Sequence, residues 1–169
     1  MSSKGEPVRQ FPDQLLKQRT REAERVDEPV KRLIERLIAV MRRHKGCVGL
    51  AAPQIGSLLR VAVMDAAGHS KAPQSHGLIV LVNPRIASSS NTLVQREGCL
   101  SIPGFTANIR RAAAVRVTGF DEFGSSREWH LEGVEAIIAQ HEVDHLDGML
   151  FLDRVANLKT DVFRRKTYL

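Results

Sequence analysis

Two histidines four residues apart, His141 and His145, with Glu142 after the first, set the strictest limit on the architecture of this chain. They sit in a segment, Gly133 to Leu146, whose Val134, Ile137, Ile138, His141 and His145 fall on one face at helical spacing, and Gly148 is placed to end it. Residues four apart on a helix lie one turn apart on the same side, so both imidazoles can reach one metal ion. Glu142 is then adjacent to the first ligand and free to handle a proton on water at the metal. The bland alternative is a pair of histidines capping a core face. The apolar helix face around the motif favours the metal.

Two ligands do not complete a catalytic site, which usually takes three protein ligands and leaves one position for water. The familiar peptidase patterns place the third ligand downstream, as a further His or a Glu. Neither exists after this motif, where only Asp147, Asp153 and Asp161 remain as carboxylates. The third ligand is therefore expected upstream. Glu97-Gly98-Cys99-Leu100-Ser101-Ile102-Pro103 offers a cysteine in an extended segment, and a thiolate is a strong ligand for iron, zinc, nickel or cobalt. An isolated thiol is more often a small buried hydrophobe, and that is the reading for the other cysteine, Cys47.

The remaining elements follow from periodicity. An apolar stripe of Val30, Leu33, Ile34, Leu37, Ile38 and Met41 predicts a helix from about Glu28 to His44, with Asp27 as N-cap and Pro29 in its first turn. Gly46 to Gly56 predicts a shaped loop. Strands are expected over Arg60–Asp65, Leu78–Asn83, Thr92–Gln95, Ala113–Phe120 and Arg127–Leu131, the last two joined by a turn at Asp121–Gly124. Ala67 to Gly77 reads as an exposed loop. The order predicts an α+β fold, with mainly antiparallel sheets around a central metal-binding helix carrying the HExxH motif. With 169 residues, no repeat and no linker, one domain over 1–169 is expected.

Composition narrows the setting. No apolar run nears the roughly 20 residues of a membrane span. Met1–Gln10 lacks the apolar stretch of a secretory signal, and acidic residues among the first 25 argue against a transit peptide, so a cytoplasmic protein is expected. A formal charge of +6 suits work near an acidic surface. Arg164-Arg165-Lys166 is its densest cluster, read either as a solvated helix end or as a docking patch.

Val48-Gly49-Leu50-Ala51-Ala52-Pro53-Gln54, Glu97-Gly98-Cys99-Leu100-Ser101 and Gln140-His141-Glu142-Val143-Asp144-His145 resemble, in order, the three signature motifs of the peptide deformylases. Phe11-Pro12, Asp147-Gly148, Phe151 and Asp153-Arg154 match too, so the resemblance spans nearly the whole chain. It implies Cys99, His141 and His145 as metal ligands, for ferrous iron in the first place and zinc, nickel or cobalt otherwise. It implies a single activity, removal of the formyl group from N-formylmethionyl nascent polypeptides with release of formate. Water activated by the metal would attack, with Glu142 as general base and acid. Gln54 and the backbone N–H of Leu100 would form the oxyanion hole.

The resemblance also points to Val48, Val134, Ile137 and Ile138 as a pocket for the methionine side chain, with Gly49 close to the peptide backbone. In sequence these aliphatics are indistinguishable from plain core. Glu97 is expected beside the peptide site and paired with Arg111. Cys47 departs from the family pattern, where glycine is usual; it could alter the entrance, offer a second thiol to the metal, or form a disulfide with Cys99. The Ala67–Gly77 loop is longer than in many members, and this is expected to be harmless. A monomer is expected, with the basic tail as a candidate ribosome contact. Two rival readings remain: a general HExxH peptidase, and a non-enzymatic metal module closed by Cys47.

Overall fold

The computed structural model of the chain describes residues 5–166; the outer positions of the expected single domain, 1–4 and 167–169, lie outside the described residues. The first amphipathic stripe forms α1, Glu28–Arg43, where the Asp27 carboxylate accepts from the Val30 N–H at 3.2 Å and Pro29 sits in the first turn. Its buried residues, Val30, Leu33, Ile34, Leu37, Val40 and Met41, pack with Leu50, Val61, Val63, Val80 and Val82. Ile38, expected in the stripe, is only partly buried at the edge of this cluster, and Val40 takes the inner position instead.

Among the described residues, six strands form one antiparallel sheet: β1 (Gly49–Ala51), β2 (Val61–Asp65), β3 (Leu78–Cys99), β4 (Ile102–Phe120), β5 (Ser126–Glu132) and β6 (Val162–Arg164). The order is β1-β2-β3-β4-β5, with β6 on the far end of β4. The central helix α2, Gly133–Leu146, packs against β1, β2, β4 and β5, so the sheet wraps the element carrying the histidines. Ala136, Ile138 and Ala139 on α2 join Met64, Leu81, Val115, Val117 and Leu131 from the strands in a second core cluster.

The two strands expected over Leu78–Asn83 and Thr92–Gln95 are one strand of 22 residues. The sequence reads as broken because Asn83 lies at φ +52°, Pro84 cannot donate to a ladder, and Ser88 to Asn91 shows no apolar alternation. Pairing with β4 continues past these residues through register shifts at Val82/Arg85 and Ile86/Ser88. The same pairing draws Ile102 to Ala112 into β4, despite Pro103 and Gly104. The expected loop after α1 contains β1 and then a 3₁₀ turn, Ala52–Ile55, that ends at Gly56 with φ +86°. At the C-terminal end, the basic cluster is not a helix end: Arg164 closes β6, after a one-turn helix α3, Leu158–Asp161.

Gly148 terminates α2, as its position suggested. It has φ +76°, and a Cβ there would lie 2.7 Å from the Lys17 carbonyl oxygen. Gly148→Ala is therefore expected to destabilise the protein by at least about 1–2 kcal/mol, the cost of forcing an L side chain into the left-handed region. Urea denaturation of the variant against the parent checks this.

Candidate metal centre and its pocket

The end of β3 and the middle of α2 meet at three side chains. Cys99 Sγ and the imidazoles of His141 and His145 each offer a ligand atom, and these atoms lie within 4.8 Å of one another. Cys99 Sγ is 3.3 Å from His145 Nε2. Cys99 and His145 are buried and His141 is partly exposed.

Glu97, two residues before Cys99, accepts from Arg111 at 2.7 and 2.9 Å, so the expected pairing is present. Its Oε2 also lies 2.8 Å from His141 Nδ1. Committing Nδ1 to a carboxylate orients the ring and leaves Nε2 for an ion. Arg111 also donates to Asp144 at 2.6 Å, and Arg154 donates to Asp144 at 2.5 and 2.6 Å. Burial pushes the Glu97 carboxyl up, but Arg111 and His141 outweigh it and hold the group at about 2. Burial also disfavours a Cys99 thiolate, yet the adjacent imidazoles hold its pKa well below the usual thiol value.

This donor set fits a divalent transition metal. One sulfur biased toward thiolate and two imidazoles form a borderline-soft group that suits iron, zinc, nickel or cobalt. Two buried atoms beside them, Glu142 Oε2 and His145 Nδ1, have no hydrogen-bond partner among the described residues. Burial raises the Glu142 carboxyl to about 7 against the pull of both histidines.

A cavity of about 280 Å³ opens onto this group. Val48, Val134, Ile137 and Ile138 line it together with Gly49, Gln54, Glu97, Leu100 and Glu142, so every residue expected beside the ligands is brought to one place. Gln54 is fixed at both ends of its amide: Oε1 accepts from the Ala51 N–H at 2.9 Å, and Nε2 donates to Ser101 Oγ at 3.1 Å with Cys99 Sγ at 3.5 Å. At Gly49 a Cβ would collide with the Glu142 carboxylate oxygen and lie 3.0 Å from Ile138, so any larger residue would displace Glu142.

Cys47 stands in the cavity wall but outside the ligand group; its Sγ–H donates to the Gly49 carbonyl at 3.1 Å. Burial pushes its thiol up to about 12, and both cysteines are free. Neither the disulfide nor a fourth ligand from Cys47 is found. The Ala67–Gly77 loop reaches the site: His69 lines the cavity, and His76 holds Glu135 of α2 through its backbone N–H at 2.9 Å and its Nδ1 at 2.7 Å. Ser101, Asp144 and Arg165 also escaped the sequence reading. Asp144 carried a signal, as a carboxylate next to the second histidine that needs a partner when buried, and Arg165 stood in the basic cluster already singled out, with no sign in the sequence that it lines the cavity.

A strand-borne thiolate completing a helix-borne histidine pair, with a buried carboxylate alongside, places the chain among the metal-dependent hydrolases. A family model described as polypeptide deformylase matches residues 6–161. A peptide deformylase of Thermodesulfovibrio yellowstonii is 40% identical over 159 residues, covering 94% of each chain. The crystal structure of a peptide deformylase from Legionella pneumophila superposes with a TM-score of 0.81 at 40% identity, covering 90% of this chain and 86% of that one. A Met-Ala-Ser-bound peptide deformylase from Acinetobacter baumannii gives a TM-score of 0.82 at 31% identity, over 91% of this chain and 100% of that one. The chain belongs to the polypeptide deformylase family, metal-dependent enzymes that hydrolyse the N-terminal formyl group from polypeptides.

Because Glu97 orients His141, Glu97→Gln is expected to lower metal affinity about 10–100-fold. Competition with a chromophoric chelator reads this directly.

Proposed function

We propose that Cys99, His141 and His145 hold one divalent ion, ferrous iron natively, and that the surrounding residues turn it to the deformylation of N-formylmethionyl polypeptides. The observation that carries the reading is the convergence of one sulfur and two imidazoles within 4.8 Å, beside a buried carboxylate oxygen with no partner. When bound, a divalent ion supplies Lewis acidity that makes water nucleophilic near neutral pH.

The chain's own groups account for the rest. Glu142 Oε2 takes a proton from water as its oxygen attacks the formyl carbon. Gln54 Nε2 and the Leu100 N–H donate to the formyl oxygen as negative charge grows on it. Gln54 is preorganised for this by its anchors on Ala51 and Ser101. Glu142 then returns the proton to the departing nitrogen as the C–N bond breaks. The products are formate and a free N-terminal amine.

The formyl group is too small to confer selectivity, so discrimination falls to the methionine side chain against Val48, Val134, Ile137 and Ile138. Gly49, close to the peptide backbone in this reading, lets the Glu142 carboxylate pack against it where a side chain would stand. Glu97 lines the peptide site and acts on it mainly through His141 and Arg111, which occupy three acceptor positions of its carboxylate. The described residues act as one catalytic domain, working as a monomer in the cytoplasm. No helix among them is long and apolar enough to cross a membrane. The exposed Arg164, Arg165 and Lys166 are the candidate ribosome contacts in the tail.

Three measurements test this reading. Glu142→Ala is expected to retain metal while losing formate release from formyl-Met-Ala-Ser; undiminished release refutes the assignment. Gln54→Ala is expected to lower kcat by about 10²–10³ as an oxyanion donor is lost. Metal content of anaerobically purified protein, with activity followed in air, identifies the ion, because a thiolate-ligated ferrous centre loses activity on oxidation and a zinc centre does not.

A further inference from the structure

The cavity is polarised by charge along its length. Its acidic lining residues, Glu97 and Glu142, are buried at the inner end. Its outer lining includes three exposed cations, Lys45, Arg96 and Arg165. Arg165 reaches the mouth because the chain folds back after α3. Residues Val162 to Arg164 pair with Phe105 to Ala107, and the Arg165 N–H then donates to the Gly104 carbonyl at 2.9 Å. The guanidinium comes to rest against Gly98, the residue preceding the ligand Cys99, where any Cβ would collide with it. Arg96 is occupied otherwise: it stacks 3.6 Å over the Phe163 ring and donates to Asn108 at 2.9 Å. No carboxylate of the described residues pairs with Arg165.

This inference rests on the deformylase reading above. With the formyl group at the buried ligands and the methionine side chain against the apolar wall, the polypeptide can leave only through the open mouth. Its next residues then pass Gly98 and the cations. We propose that Arg165 is a specificity-determining residue, whose guanidinium, together with Lys45, favours formylated peptides carrying aspartate or glutamate in the first residues after the methionine. An acidic side chain there gives Arg165 a counter-charge that no carboxylate of the described residues supplies, while a lysine meets like charge. The effect acts on binding, because Arg165 takes none of the roles in bond breaking assigned to Glu142, Gln54 and the Leu100 N–H.

The test compares kcat/KM of the full-length, metal-loaded protein on formyl-Met-Ala-Glu amide and formyl-Met-Ala-Lys amide, with formyl-Met-Ala-Ser amide as the neutral reference. The parent is expected to prefer the glutamate peptide roughly fivefold at low salt, the range of an exposed ion pair. The preference should lie in KM and fade as ionic strength rises to about 0.5 M. Arg165→Glu should reverse it, and Arg165→Lys should retain most of it. Equal values in the parent, a preference that survives Arg165→Glu, or a change confined to kcat overturns the proposal. So does inhibition by a short RNA that depends on Arg165 in the absence of any peptide preference, which would assign the cations to phosphate. Formate release from the serine peptide without charge discrimination refutes this inference alone; no release from any of the three refutes the deformylase reading with it.

Discussion

One buried guanidinium holds the catalytic half of the molecule in register. Arg111, on β4, is 3% exposed and lies between two carboxylates from different elements, Glu97 of β3 and Asp144 of α2. A charge this deep is tolerated only when its partners are in place, because its lost hydration must be replaced by hydrogen bonds of good geometry. Glu97 is two residues from Cys99, and Asp144 immediately precedes His145. Satisfying Arg111 therefore fixes the relative position of the strand that supplies the sulfur and the helix that supplies the imidazoles. Arg154, from the turn after α2, adds a second cation to Asp144.

Such a network adds little net stability, since the cost of burying its charges offsets most of their attraction. What it secures is geometry. Glu97 spends its remaining capacity on His141 Nδ1 and so orients the ring, while Arg111 holds Glu97 ionised. The folding free energy comes instead from the apolar clusters on both sides of the sheet, where α1 and α2 cover β2 and the first part of β3.

Chemistry and selectivity occupy different depths of one cavity. The inner end is buried and carries Cys99, the two histidines, the Glu142 carboxylate and the fixed amide of Gln54. The mouth is exposed and basic. The division follows from the solvation of charge: an arginine or lysine at the rim keeps its water, whereas a carboxylate at depth loses it and shifts its pKa upward unless paired. Glu97 and Glu142 show the two outcomes. The former is paired and held at about 2, and the latter is unpaired and raised to about 7.

Local order in the chain was enough for α1, for α2 to its last residue, for the glycine that ends it, and for the two-histidine face. All of these depend on helical spacing, which is written within a dozen or so residues. The residue types, the three motifs and the family resemblance also pointed to Cys99, His141 and His145, which the fold brings together, to Gln54, which lines the same cavity, and to the Glu97–Arg111 pair. Three things were settled only in three dimensions. The long β3 and β4 exist because each pairs with the other through stretches that look broken alone. Asp144 gained its role because a strand 33 positions earlier delivers Arg111 to it. The basic tail became part of the cavity because a three-residue strand turns it back onto β4. Contacts between residues far apart in sequence depend on the whole packed arrangement, so no window of the chain contains them.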